Sequence, residues 1–408
     1  MRSSVFAAVF LLVGSAVAAA QPATPSAPAP NNDRKVTAFR AVVADGMSGT
    51  IRIVDLQDGT EKGSYSVASA ARLHVGANQR YVYLVQNVAG RVNVVDTGIG
   101  IDGHGDHMDI FVRAPRLLDS YLEGSKPVHF NRGGGRIAVF FDGDGSAQII
   151  REREFVQGKL GSLRRIGAGG AHHGVAKPFD AVVALTRPSK VADQTLPDSI
   201  GVLDVNGRVV AEGTCTRLHG EVALGGDMMA FGCADGLRLF ERKGVRIATR
   251  RLSYPEALPA ARMVRNMAAA SGMRLILADF GPDGMVVIDP TGVGEFQYIQ
   301  LPARRMSFEL HADPGTHGYA MLEDGRLLRI DTVNGRISDE ARATGRYSME
   351  SGVLRPRIAV VGPFVVVTDP AAGEVSVRDA ETLAEIRRLK LGGAPFDVVA
   401  VGGSGTRH

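Results

Sequence analysis

The sequence has 408 residues, of which 45% are apolar, 50 are Gly and none is Trp. This apolar content predicts a packed globular body and argues against a disordered chain. The net charge of +4 is small for this length, and Lys and Arg form no dense block, so the sequence does not indicate a nucleic-acid-binding protein.

The N-terminus has the pattern of a secretory signal. Arg2 precedes a short apolar segment at 5–13, and small residues suitable for cleavage follow at 16–20. The apolar segment is too short to span a bilayer, and no later segment has about 18 uninterrupted apolar residues. We therefore predict a signal peptide over residues 1–20 and a soluble protein without membrane insertion, exported to the bacterial periplasm.

Residues 21–37 are rich in Pro and Ala and cannot bury a core, so they are predicted to form a disordered tether. The rest of the chain, residues 38–404, is predicted to be a single domain built from a repeat.

The mark of this repeat is a strand that ends in an acidic residue and continues into a turn. Successive marks are separated by roughly 40 to 55 residues. They occur eight times, at Asp55, Asp96, Glu152, Asp204, Glu241, Asp289, Asp331 and Asp379. This period, in a chain of short strands and Gly-containing turns, predicts an all-β protein: a β-propeller with four strands per blade.

We predict eight blades. The units near Glu152 and Glu241 are degenerate, which leaves seven as the alternative. The C-terminal strand at 395–401 is expected to be the innermost strand of a blade whose outer strands come from the N-terminal hairpin at 41–55. Such closure leaves no open sheet edge for unwanted pairing.

Three histidines recur at one position of the repeat. His129, His173 and His219 are 44 and 46 residues apart, and each precedes an apolar strand core by eight or nine residues. Since the start of each innermost strand borders the channel of a propeller, these imidazoles are expected to converge. With a carboxylate or water they would complete a tetrahedral zinc site. The sequence leaves open whether His172 replaces His173 as the ligand or orients it.

Other polar residues could support that site. His74 and His311 have similar positions in their own units, where they would contact the ligands or line another part of the channel. Asp180 and Glu221 are candidate acceptors for the imidazole N–H groups, which would fix the tautomers of the ligands. The alternative for a single channel histidine is a structural hydrogen bond.

A second group of potential ligands lies at 102–109, within an insertion that runs from 97 to 109. Its imidazoles and carboxylates include His104, Asp106, His107 and Asp109. This combination suits zinc, and also copper, nickel or iron. A polar, solvated loop is the alternative. Another insertion, at 186–199, has no comparable ligands.

The two cysteines, Cys215 and Cys233, are expected to form a disulfide in an oxidising compartment. A mixed Cys/His metal site is the alternative for this pair.

Several of these segments resemble the signatures of AztD-type periplasmic zinc metallochaperones, and the resemblance extends from about residue 40 to the end of the chain. The segments are 126–130, 171–176, 218–221, 231–236 and the loop at 104–109. The resemblance implies a β-propeller that holds zinc and passes it to the solute-binding protein of a zinc ABC importer.

The same resemblance implies roles for particular residues. His129, His173 and His219 would lie at or near the tight site, and the loop at 104–109 would be a mobile auxiliary or transfer site. Cys215 and Cys233 would form a disulfide near the His219 strand.

The sequence therefore favours a monomeric periplasmic zinc carrier that releases its ion by stepwise ligand exchange. It does not favour an enzyme, because it has no nucleophile elbow, no Gly-rich phosphate loop and no H-E-x-x-H motif. Two other classes stay open: a propeller enzyme that uses the metal for hydrolysis or redox chemistry, and a metal-free interaction scaffold.

Overall fold

The structure is a computed structural model that describes residues 34–407, apart from 78, 106, 271–273, 292–294 and 313; for His104 and Glu295 only the backbone is described. The predicted signal peptide lies outside the described residues, as do residues 21–33 of the predicted tether. The first strand, β1 (Arg34–Asp45), and the last, β34 (Pro395–Arg407), extend beyond the predicted domain limits of 38 and 404.

Eight sheets form the blades: seven have four antiparallel strands, and the eighth has four such strands with an inserted hairpin added at its innermost strand. Blade 1 consists of β4 (Arg72–Val75), β5 (Tyr81–Gln86), β6 (Arg91–Asp96) and β9 (Arg116–Glu123), and the hairpin of β7 (Ile99–His104) and β8 (His107–Val112) is inserted before its last strand. Blade 2 consists of β10 (Pro127–Gly133), β11 (Arg136–Phe141), β12 (Ser146–Arg151) and β13 (Arg164–Gly167), with the short helix α1 (Glu152–Phe155) before β13. Blade 3 consists of β14 (Ala176–Phe179), β15 (Val182–Arg187), β16 (Ser199–Leu203) and β17 (Val209–Thr214).

The next four blades follow the same plan. Blade 4 consists of β18 (Glu221–Leu224), β19 (Met228–Cys233), β20 (Gly236–Lys243) and β21 (Arg246–Ser253). Blade 5 consists of β22 (Met267–Ala269), β23 (Ile276–Asp279), β24 (Gly284–Asp289) and β25 (Glu295–Gln300). Blade 6 consists of β26 (Arg305–Leu310), β27 (His317–Leu322), β28 (Arg326–Asp331) and β29 (Arg336–Arg342). Blade 7 consists of β30 (Ile358–Val361), β31 (Phe364–Asp369), β32 (Glu374–Asp379) and β33 (Glu385–Lys390).

Blade 8 is shared by the two ends of the described chain. Its strand order is β34, β1, β2 (Thr50–Asp55) and β3 (Glu61–Ser66), with β34 innermost. The antiparallel register of β1 and β34 runs from Arg34↔Arg407 through Val42↔Val399. The predictions of eight blades and of closure by the two ends are therefore confirmed.

The acidic mark of the sequence repeat lies at or near the end of the third strand of every blade. Where the mark is Asp, its carboxylate accepts hydrogen bonds from the backbone of the following turn, as Asp55 does from Gln57 N at 2.9 Å and Asp379 from Thr382 N at 2.8 Å. Asp side chains close such turns well because they mimic a backbone acceptor. Glu152 differs because it is buried and accepts a hydrogen bond from the Tyr83 hydroxyl of blade 1 at 3.0 Å, which explains why its unit looks degenerate.

The apolar core is divided among the interfaces between blades. Eight clusters of buried side chains each join two neighbouring blades. A ninth, formed by Ala38, Ile99 and Ile110, lies under the inserted β7–β8 hairpin. Because each blade packs on two neighbours, the ring holds its blades at fixed relative positions.

The first strands of the blades line the central channel. We call the end of the channel at which these strands begin the proximal face, and the end at which they finish the distal face. Because antiparallel strands alternate in direction, the connections between blades and the turns between second and third strands lie on the proximal face. The β7–β8 hairpin lies on the distal face, where Asp109 pairs with Thr406 near the end of β34. No helix in the described part of the chain is long and apolar enough to cross a membrane.

Cys215 and Cys233 form a disulfide on the proximal side of blade 4. Cys215 lies in the connection from blade 3, Cys233 ends β19, and both are buried. The predicted disulfide is confirmed. The alternative of a mixed Cys/His metal site is wrong, because each sulfur is bonded to the other.

We expect the Cys215→Ala/Cys233→Ala variant to lose roughly 3 kcal/mol of unfolding free energy, because the bridge removes loop entropy from the unfolded chain. Denaturant titration of oxidised protein measures this difference. The control is the same titration with reductant, where wild type and variant should unfold alike. Equal stability of the oxidised proteins would contradict the expectation.

Candidate metal centre

Three imidazoles from consecutive blades meet at the proximal end of the channel. His129 is the third residue of β10, whereas His173 and His219 lie in the connections just before β14 and β18. The Nε2 atoms of His129 and His173 are 3.1 Å apart. The ring centroids of His173 and His219 are 5.5 Å apart, and those of His129 and His173 are 4.6 Å apart. The structure thus brings together the three histidines that the repeat predicted.

These spacings suit ligands of one tetrahedral ion. Two nitrogens bonded at the usual zinc distance lie about 3.3 Å apart, and their ring centroids lie about 5 Å apart. Among the described residues, no set of three or more His, Cys, Asp or Glu side chains is already arranged as a metal site. The Nε2 atoms of His129 and His173 are close to the required separation, and the 5.5 Å between the ring centroids of His173 and His219 is close to the value expected for a third ligand.

Two of the three imidazoles are oriented through their Nδ1 atoms. His173 Nδ1 lies 2.7 Å from Asp142 Oδ2, and His219 Nδ1 lies 2.8 Å from the carbonyl oxygen of Arg265. Both partners are acceptors, so each Nδ1 carries the proton and donates it. The Nε2 lone pair of each ring is then left for a cation, which is the arrangement of most metal-binding histidines.

The third imidazole is kept neutral by its surroundings. Burial, together with the nearby His173, lowers the pKa of His129 to about 3. His74 packs behind it: the His74 ring stacks on Phe130 with the centroids 5.3 Å apart, and its Nε2 is buried without a hydrogen-bond partner among the described residues. Burial lowers the pKa of His74 to about 4. Both imidazoles therefore stay uncharged at neutral pH.

His172 points away from this cluster. Its Nδ1 is 2.8 Å from the carbonyl oxygen of Gly170, its Nε2 is 3.0 Å from the Thr186 hydroxyl, and Phe140 packs edge-on against the ring. It is 6% exposed. Both nitrogens of His172 are engaged inside the protein, and it is His173 that faces the other two imidazoles in the channel.

Two of the supporting residues lie elsewhere. His311 directly follows β26, so it lies at the distal face, where its Nε2 is 2.8 Å from the carbonyl oxygen of Gly362. Its position is therefore not equivalent to that of His74. Asp180 lies in the distal turn of blade 3 and pairs with Arg242. Neither residue contacts the three imidazoles.

The predicted insertion at 97–109 forms most of the β7–β8 hairpin on the distal face. His104 and His107 are register partners, and His107 Nε2 lies 3.1 Å from Asp109 Oδ1. Asp106 and the side chain of His104 lie outside the described residues. The hairpin is thus at the opposite end of the channel from the imidazole cluster.

Asp142 is a residue of this centre that the sequence did not single out. It lies in the turn after β11 of blade 2, yet it orients His173 from the next connection. The sequence predicts only a Gly-containing turn at 142–145, and no local pattern indicates a contact across blades.

The insertion at 186–199 also supports the centre, although it has no ligands. His173 N donates to the carbonyl oxygen of Thr195 at 3.1 Å, and Leu218 N donates to that of Pro197 at 2.9 Å. These bonds brace the segments on both sides of the site. The Cys215–Cys233 disulfide lies beside the second segment, where His219 N donates to the carbonyl oxygen of Gly232 at 3.0 Å.

The fold and the site define a β-propeller of eight blades with three imidazoles gathered at one mouth of its channel. No family model matches the sequence. The chain is 35% identical over 381 residues to the zinc chaperone AztD of Citrobacter koseri, an alignment that covers 92% of this chain and 89% of that protein. The chain therefore belongs to the AztD family, which confirms the resemblance found in the sequence.

Solved structures agree. The crystal structure of C. koseri AztD matches with a TM-score of 0.87 and 35% identity, over 91% of this chain and 100% of that one. The structure of apo AztD from C. koseri matches with a TM-score of 0.85 and 34% identity, over 90% of this chain and 99% of that one. The dihydro-heme d1 dehydrogenase NirN matches with a TM-score of 0.59 and 14% identity, over 88% of this chain and 74% of that one. At this identity the match shows a similar fold and nothing more.

We expect Asp142→Asn to weaken zinc binding by about 10- to 100-fold, because His173 loses the carboxylate that fixes its tautomer. The measurement is competition with a chelator of known zinc affinity. Asp144→Asn is the control, since Asp144 lies in the same turn but bonds Ser146 rather than a histidine. Equal affinities for the two variants would contradict the role of Asp142.

Proposed function

We propose that this protein is a periplasmic zinc metallochaperone. In this proposal it holds Zn²⁺ through His129, His173 and His219 and transfers the ion to the solute-binding protein of a zinc ABC importer. The observation that carries the proposal is the convergence of three imidazoles from consecutive blades, two of them with Nδ1 fixed by an acceptor. Membership in the AztD family supports zinc as the cargo.

The chemistry of transfer follows from the ligands. Three neutral imidazoles leave one position of a tetrahedral zinc ion for water or for a ligand of the receiving protein. A partner ligand that binds there can displace the imidazoles one at a time, so the ion never becomes free. The site lies at the proximal mouth of the channel, and the side chain of His173 is 30% exposed, which gives a partner access.

The β7–β8 hairpin fits an auxiliary site rather than the tight one. His107 and Asp109 lie side by side on the hairpin, on the face away from the three imidazoles. We propose that His104, Asp106, His107 and Asp109 bind a second ion more weakly and independently of the tight site. Under this proposal the protein acts as a monomer and catalyses no reaction.

Single substitutions test the tight site. His129→Ala, His173→Ala and His219→Ala should each abolish retention of the roughly one zinc per chain expected for a tetrahedral site, because two imidazoles do not hold the ion tightly. Elemental analysis after zinc loading and dialysis measures retention in tag-free protein. His172→Ala is the matched control: it removes the neighbouring imidazole and should lower thermal stability while the zinc remains.

Retained zinc in all three variants would refute the ligand assignment. Wild-type protein that binds no zinc would refute the carrier and leave the metal-free scaffold. Substrate turnover that chelator abolishes and metal restores would instead support a metalloenzyme. Transfer to the importer protein is measured by mixing the zinc-loaded chain with the apo partner and separating the two.

His107→Ala tests the hairpin. We expect it to remove only weakly held zinc and to leave the dialysis-resistant ion in place, because the hairpin and the cluster lie on opposite faces. Zinc titration before and after dialysis distinguishes the two populations. Loss of the dialysis-resistant ion in this variant would show that the hairpin belongs to the tight site.

A further inference from the structure

A second layer of polar side chains lies directly beyond the three imidazoles in the channel. Asn131 is two residues after His129 on β10, Lys177 is four residues after His173 on β14, and Glu221 is two residues after His219 at the start of β18. His129 and Asn131 are two apart on one strand and therefore face the same side. Lys177 and Glu221 join the same layer through their hydrogen bonds to Asn131. We call Asn131, Lys177 and Glu221 the second polar layer.

The second polar layer is a connected set of hydrogen bonds. Lys177 Nζ donates to Asn131 Oδ1 at 3.0 Å, and Asn131 Nδ2 donates to Glu221 Oε1 at 2.8 Å. The amide of Asn131 can satisfy both neighbours in only one orientation, with its oxygen toward the ammonium and its nitrogen toward the carboxylate. Asn131 is buried, so its position is fixed by the surrounding packing.

The Glu221 carboxylate is chemically suited to bind the same cation as the imidazoles. It is near enough to His173 and His219 to interact with both electrostatically. One oxygen is engaged by Asn131, and the other has no hydrogen-bond partner among the described residues. A carboxylate is a common fourth ligand beside histidines on zinc. What opposes that role is the positive charge of Lys177, which attracts Glu221 across the Asn131 bridge.

We propose that Lys177, acting through Asn131, holds the Glu221 carboxylate back from the cargo ion. This inference rests on the proposed zinc site. The restraint keeps the tight site at three imidazoles, so its fourth position stays open to a ligand from the receiving protein. Without the lysine, Glu221 would turn toward the ion, occupy that position, tighten binding and slow transfer. Lys177 is thus a positioning residue that sets the balance between retention and release.

A double-mutant cycle on zinc affinity tests this role. Lys177→Met is expected to lower the dissociation constant for Zn²⁺ by about tenfold or more, and to slow removal of the ion by a competing chelator in proportion. Adding Glu221→Gln to Lys177→Met is expected to abolish that gain, because the amide is a poor zinc ligand. The Glu221→Gln single variant is the fourth protein that the cycle requires, beside wild type, Lys177→Met and the double variant.

Two controls keep the result interpretable. Lys390→Met removes an exposed lysine from the outermost strand of blade 7 and should bind zinc as wild type does. Thermal melts verify that each variant folds, and Lys177→Gln replaces Lys177→Met if the latter does not.

The outcomes separate the hypotheses. A gain in affinity that survives Glu221→Gln would mean that Lys177 merely repels the ion, and would overturn the inference. A tenfold or larger loss in Glu221→Gln alone would overturn it too, since the carboxylate would already be a ligand. Unchanged affinity in Lys177→Met would do the same. Wild-type protein that binds no zinc would instead refute the proposed function itself.

Discussion

The pairing of β34 with β1 is the interaction on which the candidate metal centre depends. The two strands come from opposite ends of the described chain and pair over nearly their whole length. They close a ring in which every blade is held between two neighbours. The three imidazoles lie on different blades, so no single sheet fixes their separations. Those separations are set by the packing between blades, and an open ring would let the channel mouth spread.

Much of this arrangement could be predicted from the sequence, because the repeat carries two independent signals. The acidic residues at the ends of the third strands indicated the number of blades. The six aspartates among them each accept a hydrogen bond from the backbone of the following turn, and this local function makes them recur. The recurrence of His129, His173 and His219 at one phase of the repeat then indicated a common height in the channel. In a repeat fold, residues at the same position of successive repeats lie at the same height in the channel. Three residues far apart in sequence could therefore be assigned to one site.

The features that could not be predicted lie where the chain leaves the repeat. His172 and His173 are adjacent in a connection rather than a strand, so strand alternation does not decide which one enters the channel. The choice is made by Thr186 and Gly170, which bind both nitrogens of His172 in the interior. The repeat also predicts that His311 is equivalent to His74, and this prediction is wrong. β26 ends just before His311, which therefore lies on the distal face. Asp142 acts across a blade boundary, and such contacts have no signature in a single sequence.

The location of the ligands has a consequence for how such a site holds and releases an ion. Two of the three imidazoles are in connections, which in a propeller have fewer neighbours than the strands. Here the connections are braced by the insertion at 186–199 and by the disulfide beside His219, while Asp142 and the Arg265 carbonyl set the rings. Two of the three imidazoles are therefore already oriented in the metal-free chain, and for a site of the proposed kind this lowers the ordering entropy lost on binding. The same bracing lies on the proximal face, so under the proposed function contacts that a partner makes with 186–199 would act directly on the backbone of His173.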